Sequence, residues 1–444
     1  MEIFKRVLDG SIYDGLTHEF FEERTAGGDY IPLRHRRPSV KYALARIVVE
    51  DSVALLFSDG HFPTIESPDR DVRDALVALT GDCRMNTVMT EAALRGSIGS
   101  AAILLRLMNG RIHLQVLDAS HLYPVWQRDA PDTLESVTER IKVTGADLVL
   151  QGYRVADLGA LYWFERRWEK YLEIWYNPYQ VGSDQAPQVD DGRSVRHGLG
   201  FVPIAWIPNL PGGEGFDGSC TFAAAIETSI EIDYQLSQVG RGLKYSSDPT
   251  LIIREPVGLD TNIVRGAANA LVVSEKGDAK LLEIAGSATQ AVIDYVRILR
   301  ELALESVHGN RADASRLATP ASGRSLELMN QGLLWLADNL RVSYGENGIV
   351  ALCRMMLRAS QRYAINVNGH RIPAVNPEAT VTLRWPDWYP PDALDRQRDA
   401  QTITGLVQNG LLSRETGLNV LASSYDIKDV SNELIRMKNG ISDD

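Results

Sequence analysis

Asp69, Asp71 and Asp74 crowd three carboxylates into one short stretch, the side-chain type that a calcium loop uses. Such a loop also needs a glycine at its turn and a closing glutamate, and neither follows, so these acids are expected at a solvated helix start. Gly212, Gly213 and Gly215 precede a helical pattern, where backbone N–H groups cradle phosphates if a lysine comes next. No lysine does. Cys83, Cys220 and Cys353 are far apart, without a Cys-x-x-Cys pair or a histidine at ligand spacing, and are expected to be inert buried thiols. The histidines are scattered, and His113 and His121, in or beside predicted strands, are expected to pack half-buried. Nothing assembles a nucleophile, a base and an orienting group. The expectation is a protein with no catalytic site, no metal and no cofactor.

Local patterns predict the elements that would carry any other role. His18–Glu23 reads as a short amphipathic piece, Arg34–Arg37 as a basic, solvated turn, and segments 40–57 and 87–107 as apolar helices. Strands are expected over 111–117, 122–126, 136–143, 160–168 and 171–176, from aromatic and β-branched residues between Asp, Gly and Pro turns. An exposed loop at 182–198, a proline-broken strand at 201–209 and a flexible glycine joint at 212–215 come next.

A helix is predicted to start after Asp217 or Ser219 and run to Tyr245, with Ile226, Ile230, Leu236, Val239 and Leu243 near one face and Glu227, Glu231 and Gln238 near another. A small module with strands at 251–253, 271–274 and 280–284 separates it from a second helix, 288–308. That helix carries an apolar stripe of Val292, Val296, Leu299, Ala303 and Val307 opposite a polar stripe of Gln290, Asp294, Arg297, Glu301 and Glu305. Residues 309–323 have no apolar anchor and read as a mobile loop. The longest helical pattern, 324–363, is expected to kink at Gly345 and Gly348. A strand at 380–385 and helices at 393–409, 413–422 and 427–438 complete the chain.

The composition is that of a chain able to bury real cores, with 44% hydrophobic residues and a formal net charge of −12. That charge argues against blanket phosphate neutralisation, which needs clustered Lys and Arg. No stretch approaches the roughly 20 uncharged apolar residues of a membrane span, and the N-terminus runs into charged sequence, so assembly in a cytoplasm is expected.

Three local sequences carry a resemblance. Val202-Pro203-Ile204 to Asn209, a Gly-rich turn, Ser219 and then Ile232-Asp233-Tyr234 form one. Ser322-Gly323-Arg324-Ser325-Leu326 at the head of the long helix is the second, and Gly410-Leu411-Leu412-Ser413-Arg414-Glu415-Thr416 the third. Their order and spacing resemble the portal proteins of tailed bacteriophages of the siphophage type, over most of residues 40–440.

The resemblance implies an α+β portal fold. Residues 1–215 would form a mixed α/β wing, 216–245 and 288–308 a two-helix stem, 246–287 a small α/β clip and 309–323 a tunnel loop. Residues 324–390 would hold the long kinked tunnel helix and the rest of the wing, and 391–444 a helical crown. It further implies a dodecameric ring at one capsid vertex of the virion, through which double-stranded DNA passes without sequence specificity. The terminase large subunit, a head–tail adaptor, and major capsid and scaffold proteins would be its partners, with no membrane.

By position, Asn310, Arg311, Ser315, Arg316 and Thr319 would touch the DNA backbone, and Arg254, Glu255, Arg265 and Lys276 would dock motor and adaptor. Glu227, Glu231, Asp294 and Glu301 would face the bore, where negative charge within about a Debye length of 8–10 Å repels phosphate. A minor head protein or adaptor fits the long helix after a small α/β insertion poorly. A DNA-processing enzyme would be betrayed by nuclease or ATPase turnover.

Overall fold

The computed structural model describes residues 1–58, 60–247, 250–256, 273–282, 286–309, 327–328, 330–389, 393–422, 427 and 430–440. The N-terminal part holds α1 (Glu2–Leu8), strands β1 (His18–Glu19) and β2 (Arg36–Arg37), which pair in parallel, and α2 (Leu44–Phe57). The helix predicted from residue 40 begins at Leu44 because Ala43 is left-handed (φ +53°). The N–H groups of Val40 and Tyr42 bond to side chains of a later helix instead. After β3 (Thr64–Glu66), Asp69 caps α3 (Arg70–Asp82), its Oδ1 accepting from the N–H of Asp71 at 3.0 Å and of Val72 at 3.4 Å. The acidic cluster is thus the helix start that its composition suggested.

The helix expected over 87–107 is two elements. α4 (Met85–Gly96) stops before Gly99, whose φ of +154° suits glycine, and β4 (Ser100–Met108) follows. β4 lies between β12 (Ile204–Pro208) and β5 (Arg111–Leu117) in an antiparallel sheet. Ala101, Ile103 and Leu105 face a helical core, and Ala102 and Leu104 face Trp168, Val137 and Leu122 on the other side. A strand buried on both faces has no polar alternation, so its apolar run reads like a continued helix.

The second sheet has the order β11 (Val195–Arg196), β9 (Leu172–Trp175), β8 (Leu161–Glu169), β7 (Leu134–Thr144), β6 (Leu122–Trp126), with β10 (Tyr179–Gln180) also on β8. Its strands follow the predicted ones closely. The short α5 (Gly145–Leu150) packs on it through Leu148, against Tyr153, Tyr162 and Phe164. Between two apolar clusters on one sheet face lies the ion pair Arg166–Glu139, with the Arg166 guanidinium over Trp168 and Trp175. Of the two histidines, His121 is half-buried beside Asp118, whereas His113 points outward on β5 and is exposed. Its position on the outer phase of the strand overrides the packing role expected of it.

α6 (Ile226–Ser247) and α7 (Gly286–Ser306) pack on each other. Between them β13 (Thr250–Pro256) and β14 (Val273–Leu282) form one antiparallel hairpin. Two of the three strands expected here are therefore parts of β14, since Ala279 and Asp278 keep pairing where a break was predicted. α8 (Gln331–Val342) runs through a π-helical stretch, Ser343–Val350, into α9 (Ala351–Arg362). The irregularity falls on Gly345 and Gly348 as predicted; it takes the form of widened turns. Gly348 lies against Met89 and Ile207, where a Cβ would come within 2.8 Å and 3.0 Å.

β15 (Ile365–Val367) and β16 (His370–Ile372) pair, and β17 (Thr382–Arg384) joins β3. α10 (Ala393–Gln408), α11 (Arg414–Ala422) and α12 (Val430–Gly440) end the described chain. The turn at 410–416 has Gly410 at φ +71°, and the Ser413 Oγ accepts from the Thr416 N–H at 3.1 Å. No described helix is long and apolar enough to cross a membrane.

Candidate functional site: the α6/α7 pair and its root

The root of the pair is built on Asp233. One carboxylate oxygen accepts from the Tyr13 hydroxyl at 2.8 Å and the other from the Tyr42 N–H at 2.7 Å. One turn on, the Ser237 Oγ donates to the Asp233 carbonyl at 2.7 Å and accepts from the Val40 N–H at 3.0 Å. Tyr234 donates to the Arg36 carbonyl at 2.9 Å. From α7, the Arg300 guanidinium donates to the Tyr42 hydroxyl at 2.8 Å. Around this polar layer lie Leu44, Val48, Ala225, Ile232, Ala303, Leu304 and Val307. Burial pushes the Asp233 carboxyl above its ordinary range, against the Tyr42 N–H, Tyr13 and Lys41, which pull the other way. Burial and the Asp233 charge push the Tyr13 hydroxyl up as well.

Arg36 is not part of a solvated turn: 1% exposed, its guanidinium donates to the Ile31 carbonyl at 2.9 Å and 2.6 Å and stacks on Tyr30. A local charge count cannot see the carbonyls that enclose it. Arg37 pairs with Glu19, and Arg241 of α6 with Glu23, so that the run meets the root through the Arg36 carbonyl that Tyr234 bonds.

The buried face of α6 also differs from the predicted one. Ser229, Ile232, Asp233 and Ser237 are buried, while Ile230 and Val239 are half-buried and Leu243 is exposed. Polar residues that find partners occupy half of that face, and apolar periodicity is blind to them. Glu227 and Glu231 stand exposed one turn apart on α6, and Asp294 and Glu301 stand exposed on α7. Glu231 accepts from Gln235 at 2.7 Å, and Asp294 from Gln290 at 3.1 Å and Arg297 at 3.3 Å. These four acids lie on the outer, charged faces of one helix pair whose inner faces are covered.

Over residues 11–443 the chain matches the family described as phage portal protein, SPP1 Gp6-like. The chain belongs to the phage portal protein family. Portal proteins are structural components of DNA packaging and ejection at the portal vertex of the virion, not enzymes. No curated protein matches the sequence. Solved structures with similarity include the neck of an empty gene transfer agent particle computed with C6 symmetry, at 12% identity and a TM-score of 0.45, covering 86% of this chain and 89% of that one. The neck of the native particle computed with C12 symmetry gives 12% and 0.42, covering 87% and 95%. The virion of the native particle gives 12% and 0.40, covering 86% and 89%.

Within this portal chain the Ile232-Asp233-Tyr234 sequence forms the root of the α6/α7 pair. The chain directly after the glycine joint at 212–215 is anchored. Phe216 stacks on Trp126 with ring centroids 4.7 Å apart and accepts from the Trp206 Nε1–H at 3.2 Å. Asp217 accepts from the Ser100 hydroxyl and Ser219 donates to the Pro211 carbonyl, so neither caps α6, which starts after a 3-10 turn at Ala223–Ala225. Gly213, Gly215 and Gly218 have the glycine spacing of a dinucleotide loop. Here Gly213 and Gly218 serve close packing, a Cβ on Gly213 meeting the Asp217 carbonyl at 2.0 Å and one on Gly218 the Asn209 nitrogen at 2.2 Å and the Gly99 carbonyl at 2.6 Å, while Gly215 takes a positive φ of +65° in open space.

Asn209 ties the long helix to this joint. Its Oδ1 accepts from the Tyr344 hydroxyl at 3.1 Å, and its amide donates to the Ser219 carbonyl at 2.9 Å and the Thr221 Oγ1 at 2.8 Å. The neighbouring Ser343 hydroxyl donates to the Pro208 carbonyl. Tyr13, Arg36, Tyr42, Arg300 and Tyr344 carry these anchors and were missed, because each acts on a partner remote in sequence. Asp233 sat in a recognised motif and could have been found.

Arg254 and Glu255 lie on β13 and Lys276 on β14; Arg265 lies outside the described residues. Asn310, Arg311, Ser315, Arg316 and Thr319 also lie outside them, as does the Ser322–Leu326 sequence. Burial pushes the Cys83 and Cys353 thiols up to about 12 and Cys220 to about 11, which keeps them protonated and unreactive near neutral pH. Among the described residues no group of three or more His, Cys, Asp or Glu could hold a metal.

Proposed function

We propose that the chain assembles into a closed ring, dodecameric in the virion, that acts as a passive conduit for double-stranded DNA. The observation that carries this reading is the α6/α7 pair, rooted at one end in the body of the chain and charged along its outer faces. Residues 1–215 with 324–390 would be the wing and tunnel helix, 216–245 and 288–308 the stem, 246–287 the clip, 309–323 the tunnel loop and 391–444 the crown. A wall carrying Glu227, Glu231, Asp294 and Glu301 repels phosphate and keeps the duplex from being held.

In this reading Arg311 and Arg316 meet phosphates as weak, salt-screened contacts, and Asn310, Ser315 and Thr319 donate to phosphate oxygens without reading sequence. Arg254, Glu255, Arg265 and Lys276, on an insertion between the stem helices, dock the terminase large subunit and then the head–tail adaptor. Scaffold and major capsid proteins surround the wing, and assembly takes place in the host cytoplasm.

Imaging of the purified chain by negative stain tests the core of it: rings with a central hole are expected. Monomer at all concentrations, with scaffold and capsid proteins present, would overturn it. Packaging by rings carrying Arg311→Ala with Arg316→Ala tests the loop. Unchanged DNA entry and retention in normally assembled rings would remove both arginines from translocation.

A further inference from the structure

β12 covers only part of β4. The two strands pair from Pro208 opposite Ser100 to Ile204 opposite Leu104, and one more bond follows, from the Leu105 N–H to the Pro203 carbonyl at 2.8 Å. Pro203 has no N–H to give back, so the ladder ends there. On its other side β4 stays paired with β5 as far as Met108. In an antiparallel sheet alternate residues of a strand turn their backbone groups to opposite neighbours. Leu105 bonds toward β12, and Leu107 therefore turns its N–H and C=O the same way, into the space that β12 has left.

That space is a cleft of about 610 Å³, inside the roughly 300–1,000 Å³ range of ligand sites. Leu105, Leu107, Trp175, Leu199 and Pro203 give it an apolar wall, and β11, the edge strand of the second sheet, lines it as well. Its charged lining is three arginines, Arg106, Arg193 and Arg196, against one acid, Glu173. Arg106 takes that acid at 2.6 Å, yet its Nε is buried with no acceptor among the described residues. Arg193 reaches Asp190 at 3.6 Å. Arg196 is exposed and meets no acid among the described residues. On a chain with a net charge of −12 this is a local positive site.

We infer that the cleft is a strand-acceptor site, where an extended acidic segment of a partner protein adds to the open edge of β4 at Leu105–Met108 and sets its carboxylates against Arg106 and Arg196. Strand addition draws affinity from main-chain hydrogen bonds and specificity from alternate side chains. The side chains of the added strand point to two faces by turns. The sequence that fits alternates apolar residues, toward Leu107 and Leu199, with acids, toward the arginines. The inference does not rest on the ring reading, because one chain supplies the whole cleft.

The probe is a fluorescein-labelled Val-Glu-Val-Glu-Val-Glu peptide, titrated with the full-length chain and read by fluorescence anisotropy. Saturable binding below about 1 mM is expected. A peptide with lysines in place of the glutamates should bind at least about ten-fold more weakly. Of two peptides N-methylated at alternate sets of residues, at least one should also bind about ten-fold more weakly, since it cannot donate to the β4 edge. Arg196→Glu, at an exposed position, should weaken the acidic peptide at least about three-fold and favour the lysine one.

Hydrogen exchange on the unmodified chain locates the contact without a variant. Leu107 and the 195–197 segment should exchange more slowly with the acidic peptide present, and α3 at the same rate. No saturable binding, or equal binding of the lysine peptide or of both methylated peptides, overturns the inference. Slowed exchange at Leu107 that appears as the chain is concentrated without peptide gives the edge to a second copy and overturns the assignment of the partner.

Discussion

α7 and α9 belong to the same chain and are covered in opposite ways. α9 buries Leu352, Cys353, Met356, Leu357, Ala359 and Ser360 in the core formed with α2, α3, α4 and the inner face of β4. α7 buries Ala303, Leu304 and Val307 in its last turns, and from Gln290 to Leu302 its residues are half-buried or exposed. α6 mirrors this, with Ser229, Ile232, Asp233 and Ser237 buried in its first half. Helices shorter than about 12–15 residues are marginal alone, and a helix normally owes its stability to what covers its apolar face. α9 and the helices packed with it find that cover within the chain. Among the described residues the α6/α7 pair is fully buried chiefly at the root.

The comparison breaks first if core truncation does not dominate. Leu352→Ala in α9 should cost about 2–5 kcal/mol in urea unfolding of the dissociated chain. Leu302→Ala in α7 should change the same measurement by no more than about 0.5 kcal/mol. Equal losses would mean that α7 is covered within the chain after all.

At the root, Asp233→Ala should cost about 1–3 kcal/mol, because the Tyr13 hydroxyl and Tyr42 N–H lose their buried acceptor. Hydrogen exchange should report the loss in α6 before it appears in α9. The sign of the pH effect also follows. A carboxyl raised above its unfolded value binds a proton more readily in the folded state, so its contribution is full below the ordinary carboxylate value of about 4 and is lost as pH rises through the raised value. The urea midpoint of the parent relative to Asp233→Asn should therefore fall between pH 4 and pH 7. A flat or rising difference would contradict the burial of this group.

Tyr344→Phe removes the hydroxyl that Asn209 accepts and should cost about 1 kcal/mol, with a rise in exchange at the joint 210–222 as well as in Ser343–Val350. An effect confined to the helix would sever the proposed tie between them. The smallest effect is expected on the outer faces, where Glu231→Gln with Asp294→Asn should move the stability of the dissociated chain by no more than about 0.5 kcal/mol. A larger loss would make that stripe a structural element of the monomer.

Sequence alone determined the elements whose information is local. Asp69 caps α3 through N–H groups two and three residues on, Gly410 turns the chain at a positive φ, and the inward stripe of α7 repeats at helical spacing, so each was legible residue by residue. The irregular turn at Gly345 and Gly348 was legible too, although its π-helical form was not.

Tertiary structure decided whatever depends on a distant partner. The apolar run of β4 became a strand because sheets and helices cover both of its faces, and Arg36 became a buried brace because the carbonyls of Phe20 and Ile31 enclose it. Asp233 and Ser237 turned α6 onto a face that hydrophobicity did not mark, since a polar side chain with its hydrogen bonds satisfied can be buried as readily as an apolar one. The charged stripe of α7 was visible in the sequence, but the exposure of apolar residues beside it was not. An exposed Ile298 and a half-buried Val296 have the same chemistry, and only the position of the rest of the chain distinguishes them.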